Sequence, residues 1–312
     1  MAISRRTIFK SVAAGALGLS AHAVYRQSPN FWRQFAKELF TPVADAVLHP
    51  QPATWQPKGL HAAWLGHSTT LIRIDGFTIL TDPVFSPRCG IDLILGTLGP
   101  KRLVASALTI GQLPKIDLIL LSHAHFDHWD LPSLNALASK NIPIVCARQT
   151  QDLLNPGLWQ SVKELGWRER TQVGPANIRA IEVKHWGARV RNDSYRGYNG
   201  YLIEAGNYKV LFSGDTAHTN LFRELRTAKP IDLAIMPIGA YNPWIANHCT
   251  PEQAIQLADW ANAERIMPVH HQTFVLSSEP PNEPIERLFN KLGNSNQRAV
   301  AHQIGSQWSV IT

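Results

Sequence analysis

Residues 119–130 read Ile-Leu-Leu-Ser-His-Ala-His-Phe-Asp-His-Trp-Asp, and this stretch predicts a strand, a loop and a helix in succession. The apolar run from Leu118 to Leu121 has the length and composition of a buried strand. A helix is predicted over 131–139, because Pro132 falls in its first turn, where a missing N–H costs nothing.

The loop between the predicted strand and helix is rich in side chains that bind metals. His123, His125, Asp127 and His128 fall within six positions, although histidine makes up only 13 of the 312 residues. The alternative, a polar loop with chance histidines, fits this density poorly. Imidazole and carboxylate together suit zinc. The loop therefore predicts a metal site, and the number of metals depends on ligands elsewhere.

The composition is that of a globular protein with a substantial core. The 312 residues are 45% hydrophobic and 17% charged, which allows one large domain or two smaller ones. The net charge of +7 is modest, and the chain has no Lys/Arg run, so nucleic acid is not an expected partner. Cys89, Cys146 and Cys249 form no CxxC pair and resemble neither a zinc set nor a disulfide framework. Cys249 follows His248, which could place it near the site, but it is interpreted as a buried or incidental thiol.

Residues 1–23 are predicted to be a twin-arginine signal segment. Residues 4–10 read Ser-Arg-Arg-Thr-Ile-Phe-Lys, an apolar run follows at 11–20, and Ala-His-Ala at 21–23 is a small-x-small cleavage site. An amphipathic helix or membrane anchor is the alternative, but the run is short for a bilayer. The twin-arginine export machinery is thus an expected partner, and the expected location is periplasmic or exported.

Residues 24–57 are predicted to be an aromatic and basic extension that precedes a domain at 58–312. Phe31, Phe35 and Leu39 recur every four residues, which is typical of an amphipathic helix. Such a helix could pack on its own domain, or residues 28–40 could make peripheral contact with a membrane.

From residue 60 onward the pattern becomes rich in strands and later alternates with helices. Asp75-Gly76 predicts a hairpin turn. This order favours an α+β fold with a two-sheet core flanked by helices. Strands are predicted at 61–65, 69–74, 77–80, 117–121, 144–147, 178–183, 200–204, 208–212, 233–236 and 265–269, and helices at 131–139, 218–227, 251–262 and 283–291.

Three of the later predicted strands also end in potential metal ligands. His185, Asp215 and His270 each follow a strand, and Gly214 permits close approach of the backbone. Each alone is more often a structural polar residue. As a set, they suggest one shared edge of the core.

The order HxHxDH, a later histidine, Gly-Asp-Thr and a final histidine resembles the metallo-β-lactamase superfamily. This resemblance implies an αββα sandwich, in which helices flank two mixed β-sheets. Further segments resemble the N-acylphosphatidylethanolamine-hydrolysing phospholipase D family; they lie at 64–69, 81–86, 99–102, 237–241 and 248–254.

The resemblance implies a site with two zinc ions per chain. The histidines His123, His125 and His185 would hold one ion. A second set, Asp127, His128 and His270, would hold the other, and Asp215 would bridge the two.

The resemblance also implies roles around the metals. Asp82 matches a carboxylate that orients a ligand imidazole. His248 matches a histidine near the substrate, as proton donor or phosphate contact. His67 is a substrate-contact candidate, with a structural hydrogen bond as the equal alternative. His271 is a weaker candidate for substrate contact or for a substitute ligand.

The implied activity is hydrolysis of phosphodiester bonds by a metal-activated hydroxide, with Asp127 as ligand and base. The implied reaction is phospholipase D-type cleavage of N-acylphosphatidylethanolamine, and the alternatives are a lactonase or a soluble phosphoester hydrolase. Asp215 in place of a cysteine argues against a true β-lactamase, and His125 argues against the diiron branch. A metal-binding protein without catalysis would need an unusable ligand, and all seven are present.

Overall fold

The computed structural model describes residues 37–38, 41–93, 96–190 and 192–311. The strands are β1 Leu60–Gly66, β2 Thr69–Ile74, β3 Phe77–Thr81, β4 Ile91–Leu93, β5 Gly96–Leu98, β6 Leu118–Leu121, β7 Pro143–Ala147, β8 Ser161–Leu165, β9 Arg170–Val173, β10 Ala176–Ile181, β11 Gly200–Ala205, β12 Tyr208–Phe212, β13 Ile231–Pro237, β14 Ala263–Val269 and β15 Gln307–Val310. From residue 41 onward, the described α-helices are α1 Leu131–Leu137, α2 Pro251–Trp260 and α3 Glu283–Leu292.

The first sheet has seven strands in the order β15-β1-β2-β3-β6-β7-β8. Its β1 to β3 part is an antiparallel meander, while β3, β6, β7 and β8 run parallel. The predicted turn at Asp75-Gly76 joins β2 to β3 with φ of +48° and +89°, as a two-residue hairpin turn requires. The C-terminal end of β6 therefore lies beside the C-terminal ends of its parallel neighbours, β3 and β7.

The second sheet has six strands in the order β14-β13-β12-β11-β10-β9. Strands β9 to β12 are antiparallel, whereas β12, β13 and β14 are parallel. The segments that follow β12 and β14 consequently start from the same edge of the sheet. Both sheets are thus mixed, and the predicted αββα sandwich is confirmed.

The alternation along β13 shows how the layers are held together. Leu233 and Ile235 belong to the cluster shared by the two sheets, whereas Ala234 and Met236 face the cluster that includes residues of α2 and α3. This period of two follows from the pleat of a strand. Each large apolar side chain buried in this way contributes roughly 1.5–3 kcal/mol.

Residues 43–57 lie in the same compact unit as the residues up to 311. Gln307 at the start of β15 accepts hydrogen bonds at 2.9 Å from the Gln51 N–H and from Trp55 Nε1. The predicted signal at 1–23 and most of the predicted helix at 28–40 lie outside the described residues. Among the described helices, none combines the length and apolarity needed to cross a bilayer.

The predicted helix at 218–227 is wrong as an α-helix. A 3₁₀ helix, Asn220–Leu225, stands there, with the Thr219 hydroxyl accepting a hydrogen bond from the Leu221 N–H. Its buried side chains, Phe222 and Leu225, are three residues apart, which is the spacing that a 3₁₀ helix places on one face.

Strands β8, β9 and β15 and the hairpin of β4 and β5 carry no clear signal in the sequence. The first three are sheet edges, and β8 and β15 leave alternate residues exposed. Edge strands are commonly polar because polar and charged side chains block pairing with other chains. Such strands lack the apolar run that reveals a central strand.

Candidate metal centre

The ligand loop, residues 123–129, starts where β6 ends in the first sheet. Asp215 follows β12 and His270 follows β14 in the second sheet. Gly214 has φ of +57°, and a Cβ there would lie 2.8 Å from the Asn199 carbonyl oxygen and from Ser122 Cβ. The glycine therefore permits the close approach of the backbone that the sequence predicted.

Three imidazoles form the first ligand group. His125 Nδ1 lies 2.9 Å from His123 Nε2 and 3.3 Å from His185 Nε2. A tetrahedral zinc site with Zn–N bonds of about 2.0–2.1 Å places its nitrogens about 3.3 Å apart. The spacing of these three nitrogens fits one metal ion.

The second ligand group contains Asp127, His128 and His270, as predicted, and also His67. Asp127 Oδ2 is 3.5 Å from His128 Nε2 and 3.4 Å from His270 Nε2. His67 Nε2 lies closer to the same oxygen, at 2.9 Å.

Asp215 lies between the two groups. Its Oδ2 is 3.1 Å from Nε2 of both His128 and His270. The same oxygen is 4.0 Å from His123 Nε2 and 3.8 Å from His185 Nε2. One carboxylate is therefore within reach of two metal positions, as the bridging role requires.

The buried polar atoms at this centre fit a bound cation. The three atoms His128 Nε2, His270 Nε2 and Asp215 Oδ1 are buried and make no hydrogen bond. Buried polar atoms without partners cost free energy, so such a cluster is stable only if something else satisfies them. Imidazole nitrogens and carboxylate oxygens are the donors that zinc accepts.

Asp82 orients two of the ligand histidines. Its Oδ2 accepts a hydrogen bond at 2.7 Å from His128 Nδ1 and one at 2.6 Å from the Ser122 hydroxyl. The Ser122 hydroxyl then accepts a hydrogen bond from His123 Nδ1 at 2.8 Å, since its own proton points to Asp82. Both rings are thereby protonated on Nδ1, which leaves Nε2 free to bind a metal.

Ser122 has this role without having been singled out from the sequence. Its one visible signal is a hydroxyl between a buried strand and the first histidine. A second unforeseen partner is a backbone carbonyl: His185 Nδ1 donates to Asn247 O at 2.8 Å, so His185 also presents Nε2. The pattern of side chains in a sequence does not reveal which backbone carbonyl will accept a hydrogen bond from a distant side chain.

His248 lies beside the first ligand group and Asp215. Its Nδ1 is 3.9 Å from Asp215 Oδ2 and makes no hydrogen bond. The His248 ring centroid is 5.1 Å from that of His185. Its side chain therefore faces the centre.

His67 and His271 are the two histidines that the sequence suggested as substrate contacts. Both side chains are buried, and His67 donates from Nε2 to the Asp127 carboxylate. The His67 carbonyl also accepts a hydrogen bond from the His270 N–H at 3.0 Å. His271 packs its ring 4.6 Å from that of Trp64 and belongs to none of the ligand groups found among the described residues.

The electrostatics of the centre favour ionised carboxylates. Burial alone would raise the pKa of Asp215, but the His128 and His270 rings hold that pKa well below its ordinary value. Burial would likewise lower the pKa of His128, but the Asp215 and Asp127 carboxylates raise it well above its ordinary value. The carboxylates and the rings therefore stabilise each other's charged forms, and a bound cation would take the place of the ring protons beside the carboxylates.

The family model of the beta-lactamase superfamily domain matches residues 78–271, which is more than half of the chain. The chain belongs to this superfamily. A metal-dependent hydrolase of Bacillus cereus is 27% identical over 245 residues, covering 75% of this chain and 95% of that protein.

Two further relatives are longer proteins. An uncharacterized protein of Mycobacterium tuberculosis is 33% identical over 238 residues, covering 73% of this chain and 63% of that protein. The mitochondrial N-acyl-phosphatidylethanolamine-hydrolyzing phospholipase D of Saccharomyces cerevisiae is 34% identical over 242 residues, covering 73% of this chain and 51% of that protein. The chain thus spans about half to two thirds of the length of these relatives.

Solved structures share the fold. A metallo hydrolase from Ignicoccus hospitalis has a TM-score of 0.61 at 19% identity, covering 82% of this chain and 100% of that one. A diiron β-hydroxylase from Streptomyces venezuelae has a TM-score of 0.57 at 19% identity, covering 83% of this chain and 55% of that one. The shared fold therefore occurs with more than one chemistry.

Proposed function

We propose that this protein is a dinuclear zinc-dependent hydrolase of phosphodiester bonds, with phospholipase D-type cleavage of N-acylphosphatidylethanolamine as its reaction. One observation carries the proposal: Asp215 Oδ2 lies 3.1–4.0 Å from ring nitrogens of both ligand groups. The yeast relative that hydrolyses this lipid supports the choice of substrate.

The proposed centre divides its residues between two ions. The first ion would be held by His123, His125 and His185, and the second by Asp127, His128 and His270, with Asp215 shared. When bound, two zinc ions lower the pKa of a water molecule and neutralise charge on a phosphoryl oxygen.

Two side chains would act on protons at this centre. Asp127 is held by the Nε2–H of His67 and would accept a proton from the attacking water. His248 has an unpaired Nδ1 that faces the centre, and it would contact a phosphoryl oxygen or the leaving group. Zinc is favoured over iron because His125 occupies a position where the diiron oxygen-reducing branch normally carries a carboxylate.

Exposed apolar side chains near the centre support a lipid substrate. The Trp186 ring lies 4.4 Å from that of His125 and is 37% exposed. Trp244, whose carbonyl accepts a hydrogen bond from the His248 N–H, is 49% exposed, and Ile245 is 47% exposed. Such side chains suit contact with acyl chains or with the interface of a bilayer.

Metal content is the first test of the proposal. Elemental analysis of protein expressed with ample zinc should find about two zinc ions per chain, as a two-metal site requires. Iron in their place would contradict the choice of zinc. A value near zero would remove the centre altogether.

The substrate is tested by direct comparison in one assay. N-acylphosphatidylethanolamine, a soluble phosphodiester and a lactone are supplied separately, and release of phosphatidic acid, alcohol or hydroxy acid is measured. We expect the lipid to react fastest. Reaction of the soluble ester or the lactone alone would favour the alternative function, a soluble phosphoester hydrolase or lactonase.

The ligand role of His125 is tested by His125→Ala. We expect hydrolysis to be lost while the circular dichroism spectrum is unchanged, because the side chain binds metal at the rim of the core. His218→Ala is a matched control, since that histidine pairs with Gln256 on the surface. An active His125→Ala variant would refute the proposed mechanism.

We further propose that residues 1–23 direct export through the twin-arginine machinery and that residues 28–40 contact a membrane. Replacing Arg5 and Arg6 with lysine should retain the protein in the cytoplasm of the producing cell, as fractionation would detect. Co-sedimentation with liposomes, with and without residues 28–40, tests the membrane contact.

A further inference from the structure

The side chain of Arg189 contacts both ends of the ligand loop. Its Nη1 donates to the Ala124 carbonyl oxygen at 3.1 Å and to the Trp129 carbonyl oxygen at 2.8 Å. Ala124 and Trp129 are fully buried, and all the ligands of the loop except His123 lie between them. One nitrogen with two N–H groups therefore links the two ends of the loop.

A third contact reaches the middle of the loop. The guanidinium carbon of Arg189 lies 4.0 Å from the centroid of the Phe126 ring. Because a guanidinium is planar, its N–H groups can bind carbonyls at its edge while its face covers an aromatic ring. Lysine has no such geometry.

The segment that carries Arg189 is itself fixed to the fold. Arg196 is buried, and its Nε donates to Asp193 Oδ2 at 2.7 Å while Nη2 donates to Asp152 Oδ2 at 2.9 Å. A Cβ on Gly187 would lie 2.2 Å from the Arg196 carbonyl oxygen, so Gly187 and Arg196, which lie on either side of Arg189 in the sequence, are in close contact. These contacts fix the backbone on both sides of Arg189.

We propose that Arg189 is a positioning residue that sets the shape of the ligand loop and thereby the affinity of the metal centre. The proposal rests on the proposed function, because it requires that the loop binds metal. Arg189 follows His185 by four residues, so one segment supplies a ligand and also holds the loop that supplies four others. No contact with substrate is needed.

The test compares zinc affinity in Arg189→Ala, Arg189→Lys and the wild type. Competition with a chromophoric chelator measures affinity, and thermal unfolding of the metal-free proteins measures stability. Arg189→Ala should bind zinc about 10–100-fold more weakly, the usual cost of losing a residue that supports ligands. Arg189→Lys should also bind more weakly, because an ammonium cannot make the planar set of contacts.

Arg298→Ala is a matched control. Arg298 also donates to a backbone carbonyl, that of Ala263 at 3.1 Å, but at the start of β14 and away from His270. Its zinc affinity should equal that of the wild type.

Each outcome bears on the proposal. Wild-type affinity in Arg189→Ala, or a loss of metal-free stability with unchanged affinity, would overturn it. If Arg189→Ala does not fold, wild-type affinity in Arg189→Lys would overturn it instead. Absence of zinc binding in the wild type and in Arg298→Ala alike would mean that the proposed metal centre itself has failed.

Discussion

At the scale of single residues, Asp82 connects the sequence motif to the chemistry of the centre. Its Oδ1 accepts a hydrogen bond from the Ser122 N–H at 2.8 Å, and its Oδ2 accepts from Ser122 Oγ and His128 Nδ1. The carboxylate thus needs both oxygens as acceptors. An amide of the same shape has only one oxygen.

Asp82→Asn should therefore disturb the orientation of His128 and His123. In this variant, at least one of the three contacts would bring two hydrogen-bond donors together. Residues that hydrogen-bond to metal ligands typically contribute about 10–100-fold to metal affinity. Zinc competition should detect a loss of that size. Asp117→Asn is the control, since Asp117 accepts a hydrogen bond from the Thr78 N–H near the opposite end of β6. Equal affinity in Asp82→Asn and the wild type would contradict the orienting role.

Asp130 shows a different use of a carboxylate in the same stretch. It is the N-cap residue of α1 but makes no side-chain bond to the helix backbone. Its Oδ2 accepts hydrogen bonds from the Ser86 N–H, from the Ser86 hydroxyl and from the Ser133 hydroxyl. Asp130 thereby ties the chain after β3 to the start of α1.

At the scale of elements, the turn before His248 presents Trp244 and Ile245 to solvent. If the substrate is a lipid, Trp244→Ala should raise KM for N-acylphosphatidylethanolamine in vesicles several-fold. The kcat/KM for a soluble phosphodiester should stay unchanged, because the ligands are untouched. Leu158→Ala is the control, an exposed apolar residue shortly before β8. Equal effects on lipid and soluble substrates would argue against a lipid contact.

Helices α2 and α3 are joined by an ion pair whose strength depends on pH. Arg287 donates to Glu252 from Nε at 2.9 Å and from Nη2 at 2.8 Å. Burial alone would raise the pKa of Glu252, but the Arg287 guanidinium holds it below its ordinary value. A lowered folded-state pKa means that the pair stabilises the fold above the ordinary glutamate pKa, and that this stability is lost as pH falls through the folded pKa.

Glu252→Gln should therefore lower Tm at pH 7. The free energy of unfolding should fall by about 1 kcal/mol or less, because both side chains are partly exposed. The difference from the wild type should shrink as pH falls below about 4.5, where the unfolded-state glutamate takes up a proton. It should vanish below the folded-state pKa, where the glutamate is protonated in both states. Thermal unfolding at pH 7 and pH 3 measures this. A difference that grows toward pH 3 would contradict the assigned direction.

At the scale of the whole molecule, the metal centre joins the two sheets. The ligand loop follows β6 of the first sheet, whereas Asp215 and His270 follow β12 and β14 of the second. A bound ion would therefore be held by residues from both sheets. Metal binding to the native state alone should stabilise the entire fold.

Removal of metal should accordingly lower Tm by several degrees. At a free metal concentration of 100 times Kd, the stabilisation is about 2.7 kcal/mol per site. Unfolding of zinc-loaded protein with and without EDTA measures the shift. The shift should be smaller in His125→Ala, which keeps only the second ligand group intact. An unchanged Tm after verified metal removal would contradict this coupling.

The sequence by itself determined the ligand motif and the central strands. His123, His125, Asp127 and His128 are close together in the chain, and apolar runs such as β6 and β12 are local signals. Local patterns also placed His185, Asp215 and His270 at strand ends. Asp215 and His270 meet at one edge because β12, β13 and β14 are parallel. His185 reaches the same edge because β10 is antiparallel to β11, and β11 is antiparallel to β12.

Only the tertiary structure decided which residues support those ligands. The contact between His67 and Asp127 joins residues 60 apart in sequence, and the one between the His67 N–H and Thr273 joins residues 206 apart. The hydrogen bonds from Ser122 to Asp82, from His185 to Asn247 O and from Arg189 to Trp129 O join residues 40, 62 and 60 apart, so they form only when the chain has folded. Local periodicity records which face of a strand is buried, but it holds no information about which distant group that face will meet.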